Sequence, residues 1–556
     1  MVSRAVLSNR AEPPPIDWLN PDDVQRVRAA LQARTVYRDE AGPIELVQTH
    51  ISSVFLTSRH VFKFKRPLDV GFADFRTLAQ RARACRAEVD LNRRLAPGVY
   101  LDVLALHADD GGYRLGEGRA GMADGMVVDH CVVMQRLPSE DMLDQRVSRG
   151  DVPPQALEAL VALLVDFHRT AAGGPKLARF GGPAVVRENW EENFRQTEPF
   201  VGEALSRETF QRIRAAVEDW LARGHSLLEA RIAGGYVRDG HGDLRCEHIC
   251  LDGEVKIIDC IEFNDRFRYG DVASDLAFLL MDLTALGRPD LARTVLERYA
   301  ALSGDAMLPR LVPFYACYRA TVRGKVTAFK LRDRNLGPER LSALRERAAA
   351  FFRLAERFAA QMAPPVLVLV GGLMGTGKTA LAQALAARAG VPAHSSDALR
   401  KQLAGEQGAS GAATDFGAGI YTPVWNARTY EALFARAEAA LRAGQSAILD
   451  ASFSHRADRE AARAMAARHG ARLVLLECTL DAARTRERLR RRTREGTSLS
   501  DGREAIYDRQ RAAYEPVTEL PPGTHRIVVT ERAPDALAAE LLAQLDLPPP
   551  LFGAAG

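Results

Sequence analysis

The stretch VLVLVGGLMGTGKTALAQALAARAG, residues 366–390, decides how the C-terminal part of this chain folds. An apolar run predicts a β-strand near 366–370, a glycine-rich loop follows at 372–379, and an alanine-rich helix stops at Gly390. This is the G-x-x-x-x-G-K-[ST] phosphate loop in the strand–loop–helix setting that the motif requires. The alternative is a plain glycine-rich turn before a helix, and the surrounding pattern disfavours it. The sequence therefore predicts a nucleoside triphosphate site here.

Each part of this loop has a predicted role. Glycines allow the backbone to turn so that successive N–H groups face one anion, and the helix N-terminus adds positive partial charge. Lys378 is expected to reach the β- and γ-phosphates, and the Thr379 hydroxyl to hold Mg²⁺. The predicted nucleotide-binding residues of the loop are Gly372, Gly375, Thr376, Gly377, Lys378 and Thr379.

Composition supports several domains and disfavours some classes of protein. The chain has 556 residues, 47 % of them hydrophobic, which suits about three to four domain-sized units. A net charge of +4 allows nucleic-acid binding without demanding it. No signal peptide is visible, and no apolar run approaches the roughly 18 residues of a membrane helix. Seven widely spaced cysteines favour neither disulfides nor zinc, so we expect a cytoplasmic protein; nothing in the sequence indicates an oligomeric state.

The secondary-structure pattern changes at Ala363-Pro364-Pro365. Before it, strand-like runs at 49–65, 99–106 and 127–137 flank a helix expected from Asp74 to about Leu95. Helical periodicity then covers 155–172, 207–231, 273–303 and 308–360. After it, strands near 366–370, 446–450 and 472–478 alternate with helices, which predicts an α/β parallel sheet. The predicted division is a flexible N-terminus 1–24, an α+β domain 25–360, a linker 361–365, a P-loop domain 366–545 and a flexible tail 546–556.

A second phosphotransfer signature lies in the N-terminal part. His241-Gly-Asp-Leu244 follows a predicted turn, and Asp259 ends a strand-like run sixteen residues after Asp243. A carboxylate that accepts a hydroxyl proton, then a hairpin, then a metal-binding carboxylate is what a kinase-type phosphotransferase needs. HGDL alone is common in polar turns, but both elements at this spacing predict a catalytic site.

These motifs carry a family resemblance. HGDL and IID, followed by DVASDLA at 271–277, resemble the aminoglycoside phosphotransferase-like kinases. The segments VFKFKRPLDVGFADF at 61–75 and EVDLNRRLAPGVYLDV at 88–103 look like a bacterial family in which such a domain is fused to a C-terminal P-loop kinase. The resemblance covers nearly the whole chain, and it implies a two-lobed protein-kinase-like fold for about 25–360.

The resemblance implies roles in nucleotide binding. Lys63, or Lys65 on the same strand face, would pair with the ATP phosphates, and Glu88 on the following helix would hold that lysine. Met134 lies in VVMQRL, 132–137, which resembles the inter-lobe hinge whose backbone meets adenine. A solvated edge-strand face for the lysines and an ordinary helix-surface charge for Glu88 are the alternatives.

The resemblance also assigns Asp243 as the catalytic base and Asp259 as a Mg²⁺ ligand. Five residues after the base, kinases of this type place an Asn on the metal, whereas this chain has His248. Mg²⁺ prefers hard oxygen ligands, so an imidazole is a poor substitute. A working kinase, a weak kinase and a nucleotide-binding pseudokinase therefore all remain open.

The C-terminal part has a matching acceptor motif. SSDALR at 395–400 resembles the polynucleotide kinase and zeta-toxin branch of P-loop kinases, in which S-x-D-x-x-R follows the second strand. The resemblance implies that Asp397 is the general base and that Arg400 steers substrate or phosphate; a helix N-cap with a surface arginine is the alternative. Asp450 matches the Walker B position, where it would orient Mg²⁺ through water, the alternative being a turn carboxylate.

A basic helix completes this half. Arginines recur there at helical spacing and share a face, namely Arg484, Arg488, Arg491 and Arg492. In P-loop kinases this region is the lid, whose arginines neutralise charge on the transferring phosphoryl group. A solvated charged helix is the competing interpretation, and RNA binding ranks lower because no aromatic residues are interleaved.

The sequence thus predicts an ATP- and Mg²⁺-dependent bifunctional phosphotransferase that acts on hydroxyl groups, with a small-molecule acceptor in the N-terminal half and an undetermined one in the P-loop half. The alternatives are a nucleic-acid 5′-hydroxyl kinase in the P-loop half and a regulatory pseudokinase in the N-terminal half. Glu262 and Asp265 are candidates to meet an amine-bearing substrate, or else structural residues.

Overall fold

The structure of the protein is a computed structural model, and it describes residues 16–18, 20–33, 43–69, 71, 73–109, 112–117, 126–333, 336–406, 422–495 and 504–552. The helices in these ranges are α1 (Pro21–Ala33), α2 (Leu78–Asn92), α3 (Leu143–Arg149), α4 (Pro154–Thr170), α5 (Pro175–Ala178), α6 (Pro183–Thr197), α7 (Arg207–Arg223), α8 (His225–Ala233), α9 (Asp265–Arg268), α10 (Val272–Ala285), α11 (Pro289–Ser303), α12 (Leu308–Phe329), α13 (Pro338–Ala360), α14 (Lys378–Ala389), α15 (Ser396–Glu406), α16 (Pro423–Arg442), α17 (Arg456–Arg468), α18 (Ala482–Glu495), α19 (Glu504–Ala512) and α20 (Pro534–Leu545). The strands are β1 (Glu45–Gln48), β2 (Ser52–Leu56), β3 (His60–Lys65), β4 (Tyr100–Asp109), β5 (Gly112–Glu117), β6 (Met126–Gln135), β7 (Val237–Asp239), β8 (Ile249–Asp252), β9 (Glu254–Ile257), β10 (Tyr269–Asp271), β11 (Val366–Gly371), β12 (Ala393–Ser395), β13 (Ala447–Asp450), β14 (Arg472–Thr479) and β15 (His525–Val529).

Residue contacts divide the chain into two compact units. The N-terminal unit consists of Met1–Glu192 and Gly224–Ser303, and the C-terminal unit of Asn193–Arg223 and Gly304–Gly556. The linker predicted at 361–365 lies inside the C-terminal unit, and this division does not test a domain boundary at that point. The boundary stays a prediction.

The N-terminal unit is built on an antiparallel sheet of six strands in the order β1-β2-β3-β6-β4-β5. β3 is an inner strand, paired with β2 on one side and β6 on the other, so that Lys63 lies opposite Val54 and Val132. Helix α2 packs against β6 and β4. The predicted α+β class of this part is confirmed.

Part of the N-terminus that was predicted to be flexible, 1–24, belongs to the core of this unit. Trp18 is fully buried, its ring lies 4.7 Å from that of Phe64, and its Nε1–H donates to Asp129 at 2.5 Å. The proline-rich composition suggested a loose segment, but burying a large aromatic side chain stabilises by about 2–3 kcal/mol, which holds the segment in place. The prediction is wrong for the described residues of this segment, and residues 1–15 lie outside the described part.

Helix α2 starts after Thr77 and not at Asp74. The Thr77 side chain accepts from the Gln80 N–H while the Gln80 side chain accepts from the Thr77 N–H. This reciprocal capping box satisfies two backbone donors at once, which fixes the helix start. The Asp74 carboxylate instead accepts two hydrogen bonds from the Arg76 guanidinium.

Two short ribbons complete the N-terminal unit around the predicted catalytic motifs. β8 and β9 form an antiparallel hairpin, and β10 pairs with β7. The hairpin separates the HGDL loop from Asp259, as the spacing predicts. The predicted helix at 273–303 is divided into α10 and α11, because Gly287 adopts a positive φ of 79° and Pro289 starts a new helix.

The C-terminal unit contains a parallel sheet of five strands in the order β12-β13-β11-β14-β15. β11 is central and buried along its whole length. Its valines face a core shared with α14 and α20, and its leucines face a core shared with α16 and α17. The α/β class predicted from the alternation of strands and helices is confirmed.

Helices α7, α12 and α13 also belong to this unit. Trp220 stacks on Phe314 with ring centroids 3.8 Å apart. A Cβ on Gly324 would lie 2.8 Å from the Phe352 ring, so glycine is what lets α12 and α13 approach closely. The helical periodicity predicted over 308–360 corresponds to two helices, because Gly337-Pro338 starts the second one.

The tail that was predicted to be flexible, 546–556, packs as far as Phe552. The Phe552 side chain is buried and its ring lies 6.2 Å from that of Phe358. Gln361 also donates to the Pro550 carbonyl at 3.2 Å. Apolar contact with α13 therefore orders the described part of this tail, where the prediction is wrong, and the last four residues lie outside the described part.

None of the helices in the described ranges has both the length and the apolar character that crossing a bilayer requires. All seven cysteines are free and buried.

Candidate active sites

The lysines of β3 and a glutamate of α2 form a buried cluster in the N-terminal unit. Lys63 and Lys65 are alternate residues of one strand, so their side chains share a face of the sheet. Lys63 Nζ lies 2.7 Å from Glu88 Oε1, and Lys65 Nζ lies 2.6 Å from Glu88 Oε2. Glu88 is fully buried, and β3 is an inner strand. A helix-surface charge and a solvated edge strand are therefore both excluded.

The two lysines differ in their further partners. Lys63, whose side chain is 13 % exposed, also lies 2.6 Å from Asp259 Oδ1, whereas Lys65 is fully buried and also pairs with Glu262. Burial by itself would lower the pKa of Lys63, but the negative charges of Asp259 and Glu88 outweigh burial and raise that pKa well above its usual value. Lys63 is thus the lysine at the accessible edge of the cluster.

Asp259 is fixed by its backbone as well as by its side chain. Its φ of 65° is in the left-handed region, which aspartate tolerates better than most residues. Its N–H donates to the Tyr100 hydroxyl at 3.1 Å. Burial would raise the pKa of Asp259, but the charge of Lys63 outweighs it and holds the pKa well below its usual value. Asp259 is therefore ionised at neutral pH.

The HGDL loop is held by Asp275 of α10, in the DVASDLA motif. The N–H groups of His241 and Gly242 donate to its two carboxylate oxygens at 2.6 and 2.9 Å. A Cβ on Gly240 would lie 2.3 Å from Asp275 Oδ2, so only glycine fits there. Burial lowers the pKa of His241 to about 4, and its Nε2 lies 3.0 Å from the Ile258 carbonyl. These contacts set the position of Asp243.

Asp243 is paired with Arg245. Arg245 Nε and Nη2 donate to the two oxygens of Asp243, each at 2.8 Å. Arg245 Nη2 also lies 3.0 Å from His248 Nε2, and His248 Nδ1 lies 2.9 Å from the Asp243 carbonyl. A guanidinium can only donate and a carbonyl can only accept, so His248 is the neutral tautomer with its proton on Nδ1. Burial and the charge of Arg245 lower the pKa of His248.

Three of the predicted residues come together as a candidate metal group. Asp243, His248 and Asp259 each offer a ligand atom within 4.8 Å of the others. Asp259 suits Mg²⁺, since its ionised carboxylate is a hard oxygen ligand. The Asp243–His248 side fits a metal poorly, because both Asp243 oxygens and both His248 nitrogens already have partners.

In the C-terminal unit, the phosphate loop follows β11 as predicted. Gly372, Gly375 and Gly377 have φ values of 123°, 78° and 91°, which L side chains rarely adopt. A Cβ on Gly372 would lie 2.3 Å from the Cys478 carbonyl oxygen. Gly377 is the residue before α14, so the loop delivers backbone N–H groups at a helix N-terminus, which is an arrangement that binds anions.

Side chains lock the loop to its surroundings. Lys378 Nζ donates to the Leu373 carbonyl at 3.0 Å, and the Thr376 hydroxyl donates to the same oxygen at 2.8 Å. The Thr530 hydroxyl donates to the Thr376 carbonyl at 2.5 Å, and the Met374 N–H donates to the Gln510 side chain at 2.8 Å. The loop is therefore preorganised by contacts from outside the motif.

Asp450 lies beside this loop. It is the last residue of β13, where it pairs in register with Val370 of β11 and with Ser395 of β12. The side chain is buried, and burial raises its pKa, against the charge of Lys378 and hydrogen bonds from Thr379 and Ser395. Its Oδ1 has no hydrogen-bond partner among the described residues. A buried carboxylate oxygen without a partner, next to a threonine hydroxyl, fits a hard divalent cation.

Asp397 and Arg400 lie in the first turns of α15. Arg400 is buried, with Nη1 3.7 Å from Asp397 and Nη2 donating to Asn426 Oδ1 at 2.8 Å. Asp397 contributes to the electrostatic environment of Asp450. Asp397 thus lies near Asp450, the carboxylate that could bind a metal ion. Arg400 is buried, so the alternative of a solvated surface arginine does not hold.

The predicted lid arginines of α18 separate into different environments. Arg488 Nη2 donates to the Thr530 carbonyl at 3.0 Å, and a Cβ on Gly377 would lie 3.5 Å from its Nη1. Arg484 pairs with Glu531 at 2.8 Å and is largely exposed, and Arg491 is exposed too. The Arg492 side chain lies outside the described part. Of the predicted arginines with described side chains, Arg488 is the one at the phosphate loop.

Met134 lies in β6, buried and opposite Val61 of β3. It therefore belongs to the same sheet as Lys63. Its role at an adenine-binding hinge stays a prediction.

Sequence reasoning missed several residues of these sites. Arg245 stands two residues after Asp243, at a position where the motif patterns are silent. Glu262, predicted as a substrate contact or a structural residue, pairs with the buried Lys65, and nothing in the sequence indicated that partner. Ser395 was noticed only as part of a motif, although its place at the end of β12 puts it beside Asp450. Asp265, predicted as a substrate contact or a structural residue, pairs with Arg268 at 2.8 Å.

Two family models match the chain, one in each part. The model of the phosphotransferase enzyme family matches residues 48–313, and the model of an AAA domain matches residues 367–517.

Among solved structures, a choline/ethanolamine kinase family protein from Mesorhizobium loti is 14 % identical, with a TM-score of 0.36 over 60 % of this chain and 98 % of that one. A gluconokinase from Sinorhizobium meliloti is 21 % identical, with a TM-score of 0.23 over 33 % of this chain and 91 % of that one.

Curated relatives match much more of the chain. Uncharacterised proteins of Mycobacterium tuberculosis and Mycobacterium bovis are 33 % identical over 438 residues, which is 78 % of this chain and 84 % of theirs. The chain belongs to the same family as these mycobacterial proteins, and it joins a domain of the phosphotransferase enzyme family to a C-terminal AAA domain of the P-loop, kinase-like type.

Proposed function

We propose that this protein is a bifunctional, ATP-dependent phosphotransferase in which each unit transfers the γ-phosphate to a hydroxyl group. One observation carries the proposal. Each unit brings together a lysine that can bind phosphate, an aspartate that can act as the base, and a second aspartate that can bind a metal ion. In the N-terminal unit these are Lys63, Asp243 and Asp259. In the C-terminal unit they are Lys378, Asp397 and Asp450.

In the N-terminal unit, Lys63 holds the phosphates, with Glu88 keeping the lysine in place. Asp243 orients the acceptor hydroxyl and takes its proton at a carboxylate oxygen. The loop that carries Asp243 does not need to rearrange for this, because Asp275 fixes its backbone. We propose a small-molecule acceptor for this site.

In the C-terminal unit, the N–H groups of the phosphate loop and Lys378 bind the phosphates. Asp397 takes the proton of the acceptor hydroxyl, and Arg400 orients the acceptor or the phosphoryl group. Arg488 adds positive charge next to the loop, where charge develops during transfer.

Divalent metal ions fit both sites. Thr379 and Asp450 would hold Mg²⁺ in the C-terminal unit, and Asp259 would hold it in the N-terminal unit. When bound, Mg²⁺ neutralises phosphate charge and fixes the geometry of the phosphates. A cytoplasmic location stays a prediction.

A second candidate concerns the N-terminal unit alone. Asp243 is engaged by Arg245 through both oxygens, which leaves less of its basicity for proton transfer. This observation favours a nucleotide-binding pseudokinase that regulates the P-loop half. For the P-loop half, a nucleic-acid 5′-hydroxyl acceptor is the alternative, and ATP turnover stimulated by an oligonucleotide and lost in Arg400→Ala would demonstrate it.

The number of nucleotide sites tests the proposal on the full chain. Titration calorimetry with a non-hydrolysable ATP analogue and Mg²⁺ is expected to give two molecules per chain. Lys378→Ala and Lys63→Met are each expected to leave one, and the double variant none. A wild-type count of one would show that only one unit binds nucleotide.

A further inference from the structure

We propose that the Arg245 guanidinium supplies, within the N-terminal site, the positive charge that a second metal ion supplies in two-metal kinases, so that this site takes a single divalent cation on Asp259. The inference rests on the proposed phosphotransfer function of that site. Kinases of this general type hold one ion on a carboxylate after the hairpin and another on an asparagine of the catalytic loop. This chain has His248 at the asparagine position.

Arg245 occupies the space between the groups that would bind the second ion. Its side chain is 9 % exposed, and it donates to both oxygens of Asp243 at 2.8 Å. The same Nη2 lies 3.0 Å from His248 Nε2, and Nη1 pairs with Glu247. A planar guanidinium held by bidentate bonds at a nearly buried position is a fixed and permanent charge.

His248 has no nitrogen left for a metal. Nδ1 carries the proton and donates to the Asp243 carbonyl, while the Nε2 lone pair accepts from Arg245. Binding an ion through Nε2 requires Arg245 to leave, and binding through Nδ1 requires the ring to lose its proton and its carbonyl contact. His248 therefore orients Arg245 and the loop backbone.

Asp259 lies at the edge of this arrangement and remains suited to one ion. Its Oδ1 pairs with Lys63, and its Oδ2 lies 3.5 Å from His248 Nε2. A second divalent ion placed between Asp243 and His248 would lie against the positive charge of Arg245, and like charges at such short range repel strongly. One metal on Asp259 together with one guanidinium on Asp243 satisfies both carboxylates.

Counting bound Mn²⁺ tests the inference. The full chain carrying Lys378→Ala and Thr379→Ala silences the P-loop site, and electron paramagnetic resonance then measures free Mn²⁺ in the presence of a non-hydrolysable ATP analogue. We expect one bound Mn²⁺ per chain. A count of two would overturn the inference while leaving the proposed phosphotransfer function intact, and a count of zero would overturn both.

Variants at Arg245 in the same background make the test specific. Arg245→Gln removes the charge and is expected to admit a second Mn²⁺, whereas Arg245→Lys and His248→Asn, which keep a cation at this position, are expected to stay at one. A count of one in Arg245→Gln with an unchanged melting temperature would contradict the inference. If Arg245→Gln fails to fold, a count of two in Arg245→Lys or His248→Asn would contradict it equally.

Discussion

Lys63 and Lys65 share one glutamate, yet their surroundings give them different roles. Lys63 reaches the accessible edge of the cluster, where it meets Asp259, and Lys65 is sealed between Glu88 and Glu262. We expect Lys63→Met to lower kcat/KM of the N-terminal site by about 100-fold, as removal of one charge-stabilising donor does. The melting temperature of the Lys63→Met variant, measured in a thermal scan, should stay close to that of the wild type.

Lys65→Met is the matched comparison. Removing it leaves two buried carboxylates with less compensation, which destabilises a protein by about 3–5 kcal/mol. We therefore expect a clear fall in the free energy of unfolding, measured by chemical denaturation. A stable Lys65→Met variant with lost activity, beside an active Lys63→Met variant, would reverse the assignment.

His241 makes stability depend on pH. Its folded pKa of about 4 lies below the ordinary value of 6.5, so the unfolded chain binds more protons between these values. Stability is therefore full above pH 6.5 and falls as the pH drops, by about 1.4 kcal/mol at pH 5.5 for this one residue. In His241→Gln, the decrease in melting temperature between pH 7.5 and pH 5.5 should be smaller than in the wild type. An identical pH dependence in both proteins would show that His241 is not the group responsible.

For single residues, the sequence shows which residues belong to the sites better than it shows how their side chains are paired. Asp243, Asp259 and Asp450 were visible because motif spacing places carboxylates at the ends of strands and in loops. The Arg245–Asp243 pair was not, because the rotamer of an arginine depends on contacts with His248 and Glu247 that only the folded chain provides. Whether Lys63 or Lys65 faces the site was also undecidable from strand alternation, since both lie on one face.

At the scale of the element, the phosphate loop depends on backbone conformations closed to other residues. Gly372→Ala would bring a Cβ within 2.3 Å of the Cys478 carbonyl at a φ of 123°. We expect loss of nucleotide binding at the C-terminal site, measured by titration calorimetry. Gly405→Ala in α15 is the control: outside its own helix backbone and its two chain neighbours, no atom of the described residues lies within 4 Å of its Cβ. Binding should be unchanged, with stability higher by up to about 1 kcal/mol. Tight binding in Gly372→Ala would contradict the assigned role of the loop.

Strands and helices with strong periodicity were predicted well, because burial in a sheet or on one helix face leaves a direct trace in the sequence. β11 and the parallel sheet are the clearest cases. Helix ends were predicted less well. The capping box at Thr77 and the breaks at Gly287 and Gly337 depend on which local hydrogen bonds form in the folded chain. In the sequence, the nearby Asp74 suggested an earlier helix start, and continuous helical periodicity hid the two breaks.

In the whole molecule, described segments near both ends of the chain contribute to cores that composition did not reveal. Trp18→Ala should destabilise the N-terminal unit by about 3–5 kcal/mol, because it opens a cavity and removes a donor from the buried Asp129. Trp18→Phe, which keeps the ring contact and loses the N–H, should cost about 1–3 kcal/mol. Denaturation midpoints of both variants test this, and a wild-type midpoint in Trp18→Ala would show that the segment is dispensable. The proline-rich pattern around Trp18 hid this contact, because a single aromatic residue carries no periodicity.

We propose that this one chain transfers phosphate at two separate sites. The direct measurement is transfer from γ-labelled ATP to a metabolite pool by the full-length wild type, Lys378→Ala, Asp243→Asn and the double variant. We expect labelled products of two kinds, one lost in Lys378→Ala and the other in Asp243→Asn, with none in the double variant. Products that vanish entirely in Lys378→Ala and persist unchanged in Asp243→Asn would contradict it, and would leave the P-loop unit as the only catalyst.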